Sequence, residues 1–207
     1  MAASPLDKLR GFWNQRYGKE EFAYGTAPND FLVEFANRIP PRGSVLCLAD
    51  GEGRNGVWLA TQGHAVTSVD IAGEGMAKAS RLAAEKGVAL TTHIADLASY
   101  DPGVEAWDGI VSIFMHLPPK LRRDIFARCV AALHPGGVVL FESYAKGQLG
   151  RGTGGPPDAE LLVALAEVEQ EFPGCRILHA FCGLREVNEG RHHNGLGEVV
   201  QLVVQKP

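Results

Sequence analysis

The chain has 207 residues, 45% of them hydrophobic and 21% charged, enough to bury one real core, and a single domain spanning residues 1–207 is expected. A formal net charge of −4 offers no general attraction to phosphate backbones, which disfavours nucleic acid as a partner. No apolar run of roughly 18 residues or more occurs, and "MAASPLDKLRGFW" lacks the apolar stretch of a signal peptide, so neither a membrane span nor secretion is expected and the location is read as cytoplasmic.

In chain order, "WNQRYGKEEFAYG" places Trp13, Arg16 and Tyr17 at helical spacing with Tyr24 in the following loop. Residues 1–40 read as a helical lid, in which Asn29 or Asp30 caps a helix before Phe31, Leu32 and Phe35. From residue 44 to 145 short β-rich runs alternate with amphipathic ones. "SVLCLAD", "HAVTSVD", "VALTTHIAD", "WDGIVSIFM" and "GGVVLFESY" are nearly continuously apolar, as in a parallel sheet covered on both faces. Arg54–Gln62, Gly75–Lys86 and Pro118–Leu133 read as the helices between them, the last with Leu121, Ile125, Cys129 and Ala132 on one stripe. Trp58 and Trp107 fall within apolar elements and read as core.

Residues 146–157 are rich in glycine and proline and read as a mobile loop. The remainder, 158–207, gives a helix over "AELLVALAEVEQEF" and two strands, "CRILHAFCGLREVNEG" and "GEVVQLVVQKP", antiparallel across a turn at "RHHNG". Cys47, Cys129, Cys175 and Cys182 show no paired C-x-x-C spacing and read as reduced thiols. Strand alternation puts Cys175 and His179 on the face opposite Cys182, so no metal site is expected from them.

The loop after the first strand, "VLCLADGEGRNG", spells G-x-G-x-x-G through Gly51, Gly53 and Gly56. Glycines at that point let the backbone turn and approach a ligand closely, and Asp70, about 20 residues on, can accept from ribose hydroxyls. NAD and S-adenosylmethionine fit this pattern equally. Asp96–Leu97 after the third strand adds a carboxylate and an apolar side chain where the far end of a nucleoside would lie. "LHPGG" then leads into the fifth strand, and an antiparallel pair closes the sheet.

Over nearly its whole length the chain resembles class I S-adenosylmethionine-dependent methyltransferases, with "CLADGEGRNG", Asp70, Asp96–Leu97 and "LHPGG" carrying the likeness. The N-terminal "FWNQRYGKEEFAYGTAPNDFL" is similar to that of tellurite-resistance and thiopurine methyltransferase-like members. The resemblance implies an α/β fold, a doubly wound Rossmann-like sheet of seven mostly parallel strands with an antiparallel C-terminal pair. It implies cofactor contacts from Ala49, Asp50, Gly51, Gly53, Asn55, Asp70, Ile71, Asp96, Leu97 and Met115, and S-adenosylhomocysteine as product. Cys47 and Ala49 replace the family's strand-one acid and first glycine; either Asp50, three residues later than the usual acid, compensates, or that contact is lost.

Methyl transfer from a sulfonium needs chiefly placement. Trp13, Tyr17 and Tyr24 offer aromatic faces to a sulfonium, and Arg16 can fork onto a methionine carboxylate; the alternative is a helix pinned by core aromatics. His116, leaving strand four in "MHLPP", is a candidate general base, with an ordinary pKa of about 6.5, or else a loop histidine capping the next helix. Arg185 and His193 are candidates for orienting the acceptor, whereas Arg191 and His192 read as a solvated turn. The expected function is methylation of a small nucleophilic acceptor: a thiol, a selenium or tellurium species, or a similar soft molecule. An NAD-dependent oxidoreductase and a catalytically silent S-adenosylmethionine-binding protein are the alternatives. Nothing in the pattern chooses between monomer and homodimer.

Overall fold

The computed structural model describes residues 4–207. Helix α1 (Pro5–Tyr17) starts at a capping box in which Ser4 and Asp7 each take the other's backbone N–H. In α2 (Asp30–Phe35) the cap is Asn29, whose side chain accepts from Leu32 N at 2.9 Å. The alternating series then follows as β1 (Ser44–Leu48), α3 (Arg54–Thr61), β2 (Ala65–Asp70), α4 (Gly73–Glu85), β3 (Thr91–Ile94), β4 (Trp107–Ile113), α5 (Pro119–Ala132) and β5 (Leu133–Tyr144). Short α6 (Leu165–Glu169) precedes β6 (Arg176–Glu189) and β7 (His193–Gln205).

The seven strands lie in the order β3-β2-β1-β4-β5-β7-β6. The first five are parallel, β7 runs antiparallel to β5, and β6 pairs antiparallel with β7. Chain order reverses between β1 and β4, so the carboxyl ends of these two strands flank the crevice where such sheets bind ligands. Both faces are covered. On one, Leu46, Ile110, Phe126, Phe141 and Leu202 pack together; on the other, Val45, Cys47, Val111 and Leu140 meet Phe31, Leu32 and Leu59. Trp58 and Trp107 pack partly buried against these clusters. Among the described residues no helix is long and apolar enough to cross a membrane.

Two elements differ from expectation. The helix read over 159–172 divides into a 3₁₀ turn (Ala159–Leu161) and α6, because Val163 instead forms a parallel β-bridge with Ala145. Val163 N donates to Tyr144 O (3.1 Å) and Lys146 N to Val163 O (3.0 Å), so tertiary pairing overrides the local helical pattern. The glycine- and proline-rich segment is stitched to its surroundings by Gln148, a buried residue that donates to Thr153 Oγ1 and Gly154 O and accepts from Glu198 N.

Candidate active site

After β1 the backbone turns through left-handed conformations at Ala49 (φ 49°), Gly51 (φ 57°) and Gly53 (φ 83°). A Cβ on Gly51 would lie 2.7 Å from Tyr17 Oη, and one on Gly53 would collide with Ala79, so both the turn and the close approach of α4 require glycine. Asp70, at the end of β2, accepts from Gly51 N (2.9 Å) and Ala72 N (2.8 Å). Burial pushes its pKa up to about 6, against the pull of those N–H groups. This carboxylate, Ile71, Asp96 and Leu97 wall one end of a cleft with about 1090 Å³ of atom-free space. Asp96 also accepts from Ala98 N at 2.9 Å, which fixes its loop. A glycine cradle, a buried ribose-type acid and an acid–leucine pair on one wall fit a nucleoside-bearing cofactor.

Asp50 lies at the foot of this turn. Its carboxylate turns under the loop, accepting from Ser68 Oγ (2.6 Å) and facing Gly56 N (3.3 Å). Burial raises its pKa to about 7 despite the Ser68 hydrogen bond. Cys47 is buried in the core on the α2–α3 face. Neither residue offers a free carboxylate at the strand-one position, so the resemblance's usual acid contact is not reproduced by them. The third glycine of G-x-G-x-x-G also has a local cause, since a Cβ on Gly56 would lie 2.5 Å from Asp50 Oδ2 and collide with Ser68 Oγ.

Leu9, Trp13, Tyr17 and Tyr24 form the cleft's outer wall, and Asn55 lines it from α3. The Trp13 and Tyr17 rings are stacked 5.5 Å apart. Glu52, unremarked in the sequence, locks this lid: its carboxylate accepts from Ala23 N and Lys78 Nζ, both at 2.8 Å, while Lys78 also donates to Glu21 O. Arg16 does not line the cleft; it donates to Tyr24 Oη (2.9 Å) and lies over the rings of Phe12 and Trp13. Its expected fork onto a carboxylate is thereby replaced by a grip on Tyr24.

The opposite end of the cleft is built by Phe114, Met115 and His116 after β4 and by His193 at the start of β7. Phe114 has a left-handed backbone (φ 52°) and packs its ring 4.6 Å from both Tyr144 and His193. His116 stacks on Tyr144 (5.9 Å) and faces Ser143 Oγ at 3.4 Å. Burial, with His193 nearby, drives its pKa down to about 3, so near neutral pH the imidazole is unprotonated and weakly basic. Its Nε2 is buried without a partner.

Arg185 is not at the cleft. Its guanidinium grips Glu142 at 2.7 Å through both Nε and Nη2 and reaches Glu189 at 3.4 Å. Asn29 donates to both carboxylates, Arg54 Nη2 donates to Glu189 (2.6 Å), and Gln201 donates to Glu142. Burial alone would raise the Glu189 pKa, yet contact with His193 and the charges of Arg54, His193 and Arg185 hold it at about 2. Arg191, as expected of a turn residue, makes an exposed ion pair with Glu21. The structure therefore brings the expected cofactor residues other than Arg16 and Gly53 to the cleft, together with His116 and His193. It assigns Arg185 to a buried ionic cluster.

Residues 45–137 match a family described as "Methyltransferase domain". Among solved structures, one associated with conversion of a disulfide bond into a thioacetal group during echinomycin biosynthesis superposes with a TM-score of 0.77 at 16% identity, covering 98% of this chain and 92% of the other. TehB from Haemophilus influenzae gives 0.72 at 19% identity over 96% and 67% of the two chains. Magnesium protoporphyrin IX methyltransferase from Synechocystis PCC 6803, solved with bound SAH, gives 0.68 at 16% identity over 99% and 100%. No curated protein matches the sequence.

Proposed function

We propose that this chain is an S-adenosylmethionine-dependent methyltransferase that modifies a small, soft nucleophile such as a thiol or a selenium or tellurium species. The sulfonium cofactor supplies an activated methyl group, and the chain's task is to hold and orient both partners and exclude water. The observation that carries the reading is the aromatic end of the cleft. Tyr24, Phe114 and His193 converge there under a lid fastened by Glu52 and Lys78, leaving room for a small molecule. The nearest cations, Arg16, Arg54 and Arg185, are all committed to protein partners, so nothing there is set to neutralise a strongly anionic macromolecule. The apolar, aromatic walls supplied by Tyr24, Phe114 and Met115 favour a polarisable acceptor.

An oxidoreductase reading is disfavoured, because Gly56 is accounted for by Asp50 and Ser68 without a pyrophosphate. Incubation with methyl-labelled S-adenosylmethionine and a panel of thiols, selenite, tellurite, protein and RNA tests the acceptor class. Label in small thiol or chalcogen products is the expected result; label confined to protein or RNA would refute it.

A further inference from the structure

The hairpin closing the sheet carries a carboxylate–imidazole pair at the cleft wall. Glu189 Oε2 lies 3.5 Å from His193 Nδ1, with side chains 5% and 9% exposed. His193 Nδ1 is sealed from solvent and has no aligned hydrogen bond, whereas His193 lines the cleft, which leaves Nε2 as the nitrogen a bound molecule can reach. Glu189 itself is fixed from three sides, by Asn29 (2.7 Å), Arg54 (2.6 Å) and Arg185 (3.4 Å).

We infer that Glu189 and His193 form a proton-accepting dyad for the methyl acceptor, Glu189 as the positioning residue whose carboxylate, 3.5 Å from Nδ1, favours a proton on that nitrogen, and His193 Nε2 as the atom that takes the proton. The inference rests on the methyl-transfer reading and narrows it to acceptors that arrive as neutral X–H groups, with thiols the fitting soft example. An acceptor already anionic, such as a halide or a chalcogen oxyanion, needs no base and would meet the Glu189 carboxylate behind the ring.

In the step, the X–H proton passes to Nε2, the electron pair of X forms the bond to the methyl carbon, and the pair of the breaking carbon–sulfur bond stays on sulfur. The imidazolium returns its proton to solvent as product leaves. The groups around His193 suit this role. Glu189 faces it from β6, Arg54 from α3, Arg16 from α1, Tyr24 from the lid, Tyr144 from β5, His116 from the end of β4 and His192 from the turn. Burial lowers the His193 pKa, with Arg54 and Arg16 adding to the fall, and the Glu189 carboxylate opposes them, so Glu189 is what sustains proton uptake by the ring.

Nitrogen-15 imidazole NMR of the full chain, with S-adenosylhomocysteine added and its binding checked by calorimetry, reads the dyad directly. The expected result at pH 8 is His193 as the Nδ1–H tautomer, and in Glu189→Gln a His193 pKa lower by about one unit or more. An Nε2–H tautomer in the wild type, or an unchanged His193 pKa in Glu189→Gln, overturns the dyad. If that variant does not fold, the wild-type tautomer alone decides. Failure of S-adenosylhomocysteine to bind, by contrast, would count against the methyltransferase reading and leave the tautomer measurable in the free protein.

Discussion

Asp50 accepts a 2.6 Å hydrogen bond from Ser68 Oγ in the space where a side chain on residue 56 would stand. The third glycine of the loop is therefore a packing requirement at the foot of α3. Gly56→Ala should lower stability by about 1–3 kcal/mol, the cost of forcing a methyl group into a filled site. A thermal midpoint equal to wild type would show that the Asp50–Ser68 contact is not formed.

Ala49 stands at φ 49°, a left-handed backbone that costs a residue with a Cβ about 1–2 kcal/mol. Ala49→Val, β-branched at the same position, should destabilise the protein further, while Ala49→Gly should match or exceed wild-type stability. Denaturant midpoints check both; a Val variant as stable as wild type would mean that the turn is not left-handed there.

Binding should depend on pH through Asp70, whose carboxyl titrates at about 6 in the free protein, above its ordinary 3.8. A raised carboxyl pKa favours the folded free protein at low pH, and this contribution is lost as pH rises from the ordinary value through 6. Ribose hydroxyls, which donate, favour the ionised form, so affinity for S-adenosylhomocysteine runs the opposite way and falls as pH drops through 6. Affinity at pH 5 should be about tenfold weaker than at pH 8. A flat profile over that range would remove the ribose role from Asp70.

Arg122 and Glu171 form an ion pair with both side chains 1% exposed, joined through Nε and Nη2. Removing one partner leaves a buried charge unpaired, so Glu171→Gln should cost about 3–5 kcal/mol. Chemical denaturation measures it, and a loss below 1 kcal/mol would place water at that pair.

Much of this was legible in the sequence because the signals are local. Five apolar runs give the parallel strands, and Gly51, Gly53, Asp70 and Asp96–Leu97 lie within a few residues of strand ends. The buried ionic cluster was not legible: Asn29 meets Glu142 and Glu189 across 113 and 160 residues, and Arg54 meets Glu189 across 135. Nothing near Arg185 announces that its charge is spent on Glu142, so a cation beside a histidine turn reads as an acceptor clamp. The same holds for Glu52, which sits inside the glycine motif yet reaches away to Ala23 and Lys78. The burial that lowers the His116 pKa likewise comes from surroundings, including Tyr144, that no periodicity places beside it.

Calorimetry with S-adenosylhomocysteine and, as control, NADH, with Asp70→Ala alongside, decides which cofactor the cleft holds. The account predicts micromolar binding of S-adenosylhomocysteine alone, weakened in Asp70→Ala by about 1.5–3 kcal/mol, the worth of hydrogen bonds to a charged group. Binding of NADH alone, or an Asp70→Ala variant that binds as tightly as wild type, would contradict it.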